Sequence, residues 1–168
     1  MATTPGTQPG EGRRDGQRAR VYAAEELWRA QLDAARLGAR EVEVAGSRVV
    51  LPAELRFGDL DTVREWLRAL VPAYPGVGEL RVRSRRGQAR AHYESPGTVA
   101  LPAPVLGEPW ALRESVVLHE VAHHLAGTAA AHGPAFTAAL LDLVRHALGE
   151  EAAFVLRVRY AEAGARVG

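Results

Sequence analysis

Residues 116–136 read VVLHEVAHHLAGTAAAHGPAF and hold four of the chain's six histidines within fourteen consecutive positions. Isolated histidines scatter over a fold. Four of them around one glutamate, at unequal spacings, indicate a shared task, and metal binding is the first candidate. His119 and His123 are four apart, so on a helix their rings leave from one face, offset by about 40° and separated by about 6 Å along the axis. Two imidazoles so placed can grip one cation, and the tetrahedral shell that zinc prefers leaves two positions to fill. His124 follows His119 by five residues and points away from the pair. His132 is better placed: the eight residues after His123 include Gly127, which breaks the helix, and the small residues Thr128 to Ala131, so the chain can turn back. A carboxylate, Asp142, is the alternative third ligand, and the frequency of imidazole as a zinc partner favours His132.

Three neutral imidazoles would leave the ion its full charge and one position for water, the arrangement of a catalytic rather than a closed structural site. Glu120 is adjacent to a ligand but turned from it by about 100°. Its carboxylate can reach the metal-activated water without binding the ion, take a proton as the oxygen attacks a polarised carbonyl, and pass it to a leaving amine. That is the chemistry of the H-E-x-x-H pattern on a helix. Around it, VVLHEVAHHL carries no other acidic residue and no arginine, as expected of a buried helix bearing one carboxylate.

Composition narrows the alternatives. The 168 residues are 47% hydrophobic and 24% charged and include no cysteine. Disulfides, thiolate metal sites, iron–sulfur clusters and thiol nucleophiles are thereby excluded, and any metal is held by nitrogen and oxygen. A formal net charge of +1 gives no global attraction to nucleic acid or membrane. The N-terminal MATTPGTQPGEGRR lacks the apolar core of a signal peptide, and no apolar run approaches the roughly 18 residues of a membrane span, so the expected location is cytoplasmic. Residues 1–12, rich in Gly, Pro and Thr, read as a disordered tail, and 13–168 as a single domain.

Hydrophobic periodicity gives an α+β chain. A first helix is expected over 17–37, with Gly38 as its stop, and two short strands around the Gly46-Ser47 turn. A second helix follows over 57–70, capped by Asp59 or Asp61 and closed by Pro72. Alternating runs at 80–83, 89–93 and 98–101 predict a three-strand meander punctuated by Gly87 and Gly97. The remainder is helical: Pro109 to about Leu125, Pro134 to about Leu148, and Glu150 to Ala163.

HEVAHH followed by HGPAF resembles the paired H-E-x-x-H and H-G-x-x-F motifs of SprT-like zinc metalloproteases. That resemblance implies His119, His123 and His132 as ligands and Glu120 as general base. Most of residues 14–164 is similar to a family of small bacterial HExxH metallohydrolases without an established substrate; RDGQRARVYAAEE, LPAELRFGDLD, RVRSRRGQARAHYE, WALRESVVLHEVAHH and VLRVRYAEAG carry the likeness. It implies a zincin-like fold, a small sheet above the active-site helix with an edge strand, here Thr98 to Leu101, lining the cleft and able to pair with an extended peptide. The spacing from His123 to His132 is shorter than in many SprT-like enzymes, and no cysteine-based zinc ribbon follows, so the DNA-linked roles of some relatives do not carry over automatically. A second zincin pattern, with glycine three and a ligand six residues after the second histidine, fails at Ala126 and Ala129.

The expected activity is therefore zinc-dependent hydrolysis of a peptide bond in a peptide or protein substrate. A zinc amidohydrolase acting on small amides is the first rival. A non-catalytic metal-stabilised module is the second, with nucleic acid as partner through Arg81, Arg83 and Arg85 on one strand face. Near-neutral charge favours reading that run as a solvated hairpin. Arg157 and Tyr160 on the last helix offer themselves as oxyanion stabilisers, though packing explains both equally well. His124 reads as solvent-facing or hydrogen-bonded, His92 and His146 as structural or exposed, and Trp28, Trp66 and Trp110 as packing residues.

Overall fold

The computed structural model describes residues 15–75, 78–86, 90–102 and 110–168. The expected tail at 1–12, the turn glycine Gly87 and the helix-starting Pro109 lie outside them.

Helix α1, Arg18–Arg36, buries Val21, Ala24, Glu25, Trp28, Leu32 and Ala35 along one stripe; the indole N–H of Trp28 donates to the Ala152 carbonyl at 3.1 Å. Strands β1, Glu41–Val44, and β2, Ser47–Val50, pair antiparallel through the expected tight turn. Helix α2, Leu60–Leu70, is capped by Asp59, whose carboxylate accepts from the Thr62 N–H at 2.8 Å, which decides between the two candidate caps. Its Trp66 packs on Phe57 with ring centroids 5.4 Å apart.

Strands β3, Arg81–Arg85, β4, His92–Glu94, and β5, Thr98–Pro102, form one sheet in the order β3-β5-β4. The expected meander is corrected here: β5 runs parallel to β3 and antiparallel to β4. Thr98 to Leu101 is consequently the central strand and not the edge. The cause is its composition, since Val99, Ala100 and Leu101 are fully buried, and an apolar run without alternation needs cover on both faces. The edge facing the histidines is β4.

Helix α3, Glu114–Ala126, is buried around its whole circumference from Glu114 to Ala122. It lies under β4 and β5 and packs on α4, Pro134–Leu148; α4 packs in turn on α5, Glu150–Glu162, and α5 on α1. Pro134 opens α4, and Gly149, at φ 97°, separates α4 from α5. The start of α3 is tied to the segment before α2 by Phe57 N–H donating to Leu112 O at 2.9 Å and Glu114 N–H donating to Leu55 O at 3.1 Å. Burial pushes the Glu114 carboxyl up to about 7, with Glu54 adding to the effect and the Leu55 N–H opposing it. Trp110, expected in the core, is 40% exposed. No helix among the described residues is long and apolar enough to cross a membrane.

Candidate metal centre

The helical spacing delivers the first two rings as expected. His119 and His123 stand on one face of α3, with ring centroids 5.0 Å apart. Gly127, at φ 77°, ends the helix, and a single turn of tighter helix, Thr128–Ala130, swings the chain back. Ala131 takes φ 47°, a conformation that L-residues with a Cβ rarely adopt and that recurs beside functional groups. His132 follows immediately, with its ring 5.3 Å from that of His119 and 4.7 Å from that of His123. One nitrogen from each ring lies within 4.8 Å of the other two, so the three can hold one metal ion.

Each outer ring has its second nitrogen engaged by a carboxylate. His119 Nδ1 lies 2.8 Å from Glu25 Oε2, and His132 Nδ1 lies 2.5 Å from Asp15 Oδ2. A carboxylate at Nδ1 fixes the tautomer that leaves Nε2 with its lone pair. His132 Nε2 is buried with no hydrogen-bond partner, a polar atom that a metal would satisfy. Burial, reinforced by the neighbouring His119 and His132, pushes His123 down to about 3, and burial likewise lowers His132. Neutral rings mean that few protons compete for those lone pairs near neutral pH. The donor set is all nitrogen, which suits a divalent transition ion.

Glu25 itself is fully buried. Burial would raise its carboxyl, but the charges of His119 and Arg29 and the hydrogen bond from His119 outweigh it and hold Glu25 down at about 2. Arg29 donates to Oε2 at 2.6 Å and the Tyr160 hydroxyl to Oε1 at 3.2 Å. Tyr160 is fully buried and supports the histidines from behind; it does not face the cleft, and neither does Arg157, which is exposed on α5. The side-chain amide of Gln17 donates to the His132 carbonyl at 2.7 Å, which anchors the third ring's backbone.

Phe136 explains the last residue of HGPAF. It is fully buried, and its ring centroid lies 4.8, 4.4 and 4.9 Å from those of His119, His123 and His132. It forms a floor that all three rings touch. Tyr22 of α1 also packs on the rings, stacked on His119 at 5.5 Å and tilted against His132 at 5.1 Å.

Glu120 is 5% exposed. Burial pushes its carboxyl above the usual range, against the pull of His119 and a backbone hydrogen bond at Tyr93. It opens onto a cleft of about 310 Å³ shared with the three histidines, Tyr22 and the residues at and before β4. The edge strand of the sheet thus does flank the cleft, at 92–94 instead of 98–101.

Other candidates fall elsewhere. Asp142 is exposed on α4 and pairs with Arg145 at 3.3 Å, so it is not one of the grouped side chains. His124 Nδ1 lies 2.8 Å from the Tyr93 hydroxyl, which also accepts from the Gly97 N–H at 2.9 Å; this links α3 to the sheet. His146 packs edge-on against Tyr74 at 5.4 Å. His92, expected to be structural or exposed, lines the cleft with its Nε2 2.8 Å from Glu94 Oε1. Asp15, Tyr22, Glu25 and Arg90 are site residues that the sequence reading missed. Only Glu25 left a signal, as a carboxylate in the apolar stripe with Val21, Trp28 and Leu32.

His132→Ala should weaken metal affinity by about a hundredfold or more, since even losing an outer-shell partner of a ligand is worth 10–100-fold, whereas Asp142→Ala should leave it unchanged. Metal content of the purified variants after dialysis checks both, and metal loss in the aspartate variant would overturn the assignment. Compared with protein families, curated proteins and solved structures, the chain finds no match.

Proposed function

We propose that the chain is a zinc-dependent metallopeptidase of zincin-like fold, with His119, His123 and His132 as ligands and Glu120 as general base. One observation carries the reading: a buried carboxylate opens onto the same cleft as three converging imidazoles. Among the described residues no fourth histidine or acid joins that group, as in open catalytic sites. The layout of α3 beneath a small sheet with an edge strand at the cleft supports the zincin comparison, and the likeness of the motif pair to SprT-like enzymes points the same way.

When bound, zinc would supply a Lewis acid that polarises the scissile carbonyl and acidifies water beside it. Glu120 takes the proton as the water oxygen bonds to the carbonyl carbon. It returns that proton to the amine nitrogen as the C–N bond breaks, so the base is regenerated. Burial disfavours the charged form of the Glu120 carboxylate, which favours its taking up the proton of the attacking water. Glu25 and Asp15 hold the rings of His119 and His132 in register, and the edge of β4 offers backbone pairing to an extended substrate.

Stripping the protein with a chelator should abolish cleavage of an unfolded polypeptide, and zinc should restore it. Cleavage that persists in metal-free protein would refute the reading. Turnover of small acyl amides without any polypeptide cleavage would favour an amidohydrolase.

A further inference from the structure

The cleft carries more positive charge than hydrolysis requires. Arg18 from the first turn of α1, Arg85 from the end of β3 and Arg90 just before β4 all line it. Among the described residues, no carboxylate pairs with any of the three guanidinium groups. Their neighbours Arg81 and Arg83 are instead matched with Glu79 and Glu94. The acids on the cleft wall are already committed, Asp15 to the ring of His132 and Glu120 to proton transfer.

Arg18 and Arg90 are nonetheless held in place. Their Cζ atoms lie 5.5 and 4.9 Å from the centroid of the Tyr22 ring, the same ring that stacks on His119. A cation–π contact orients a guanidinium while leaving its N–H donors free for an anion. Arg85 Nη1 donates to the Arg90 carbonyl at 2.5 Å, fixing the backbone from which Arg90 extends. An adjoining lobe shares Tyr22, Arg90, His119 and Glu120 but adds Trp110 and Val116, and its own arginine, Arg29, is bound to Glu25. The lobe on the Arg18 side is therefore the one suited to an anion.

We propose that this cleft selects peptides with a carboxylate beside the scissile bond, held by Arg18 and Arg90. The inference rests on the metallopeptidase reading for the bond cleaved, while the part of the arginines in binding stands separately. The carboxylate belongs either to an acidic side chain or to a peptide's own C-terminus. A nucleic acid fits less well, because Arg81 and Arg83 beside the cleft on β3 are matched by Glu79 and Glu94, which interrupts the stripe of positive charge that a phosphate backbone would follow.

The test uses the zinc-loaded full chain and its Glu120→Gln variant against N-acetylated peptide mixtures that differ only by Glu or Gln at one position, each prepared with an amidated and a free C-terminus. Anisotropy reports binding to the Glu120→Gln protein, and mass spectrometry reports cleavage by the unmodified one. A charge-assisted bidentate contact predicts a preference for Glu over Gln of about tenfold or more. That ratio should fall towards one in the Arg18→Gln, Arg90→Gln double variant and recover in part with lysine at both positions. A preference that follows the free C-terminus and not the side chain identifies the terminal carboxylate as the group recognised.

Equal binding of Glu and Gln peptides whatever their C-terminus, or a preference that survives loss of both arginines, would overturn the proposal. So would tighter, arginine-dependent binding of a single-stranded oligonucleotide of the same net charge. Arginine-dependent preference in binding without cleavage of any peptide would remove the peptidase reading and leave this one standing; cleavage without preference would do the reverse. Arg18 and Arg90 are exposed, so the variants should fold, and thermal melts verify it.

Discussion

Glu120→Gln is expected to lower hydrolysis by about a thousandfold, the range that removal of a positioned general base produces, while metal content and melting temperature stay close to those of the unmodified protein. Glutamine keeps the shape of a side chain that is 5% exposed but cannot accept a proton at neutral pH. Removing a buried carboxylate whose charge is disfavoured by desolvation should stabilise slightly if it changes stability at all. Steady-state cleavage, metal analysis and a thermal melt on the same preparation give the answer. An unchanged rate would eliminate the enzyme reading, whatever the metal does.

The second large effect is expected at Glu25, for which the sequence reading had no role. Glu25→Ala leaves Arg29, Tyr160 and His119 without their shared acceptor on the buried face of α1. Breaking a buried charged network of this kind destabilises by about 3 kcal/mol or more. Urea unfolding of the metal-free variant should show that loss. Glu25→Gln isolates the tuning of the metal from the packing: it keeps an acceptor but no charge behind His119 Nδ1, and metal affinity should drop about 10–100-fold. A chelator-competition titration measures it, and an affinity equal to that of the unmodified chain would show that the carboxylate does not support the ligand.

How much of this was readable beforehand depended on how local the signal was. The H-E-x-x-H spacing lies within one helix, so His119, His123 and Glu120 follow from the helical period alone. His132 required only a glycine break and a short turn. The order of the sheet was not local. Alternation marks a strand but not its neighbours, and the buried run Val99 to Leu101 was placed at the edge although its lack of polar alternation argues for the centre. A place on a helix or at its edge suggests packing for Trp110 but says nothing of which side faces water, and the residue is 40% exposed. The carboxylates behind the rings come from α1 and from Asp15, three residues before it begins, some hundred positions from the histidines, and no spacing rule connects Asp15 to His132. Phe136 was visible as part of a motif, but its contact with three imidazoles belongs to tertiary structure.

Because Asp15, Tyr22 and Glu25 all reach the histidines from α1 and the residues just before it, an ion bound at those rings would be thermodynamically linked to the seating of that segment. Loading would act as a keystone: an ion at a thousand times its dissociation constant would add about 4 kcal/mol to the folded state, and part of that gain would go into clamping the start of the first helix onto the third. Without the ion, the start of α1, where Asp15 and Tyr22 meet the histidines, would then loosen first, while Trp28 and Leu32 keep the rest of the helix in the core.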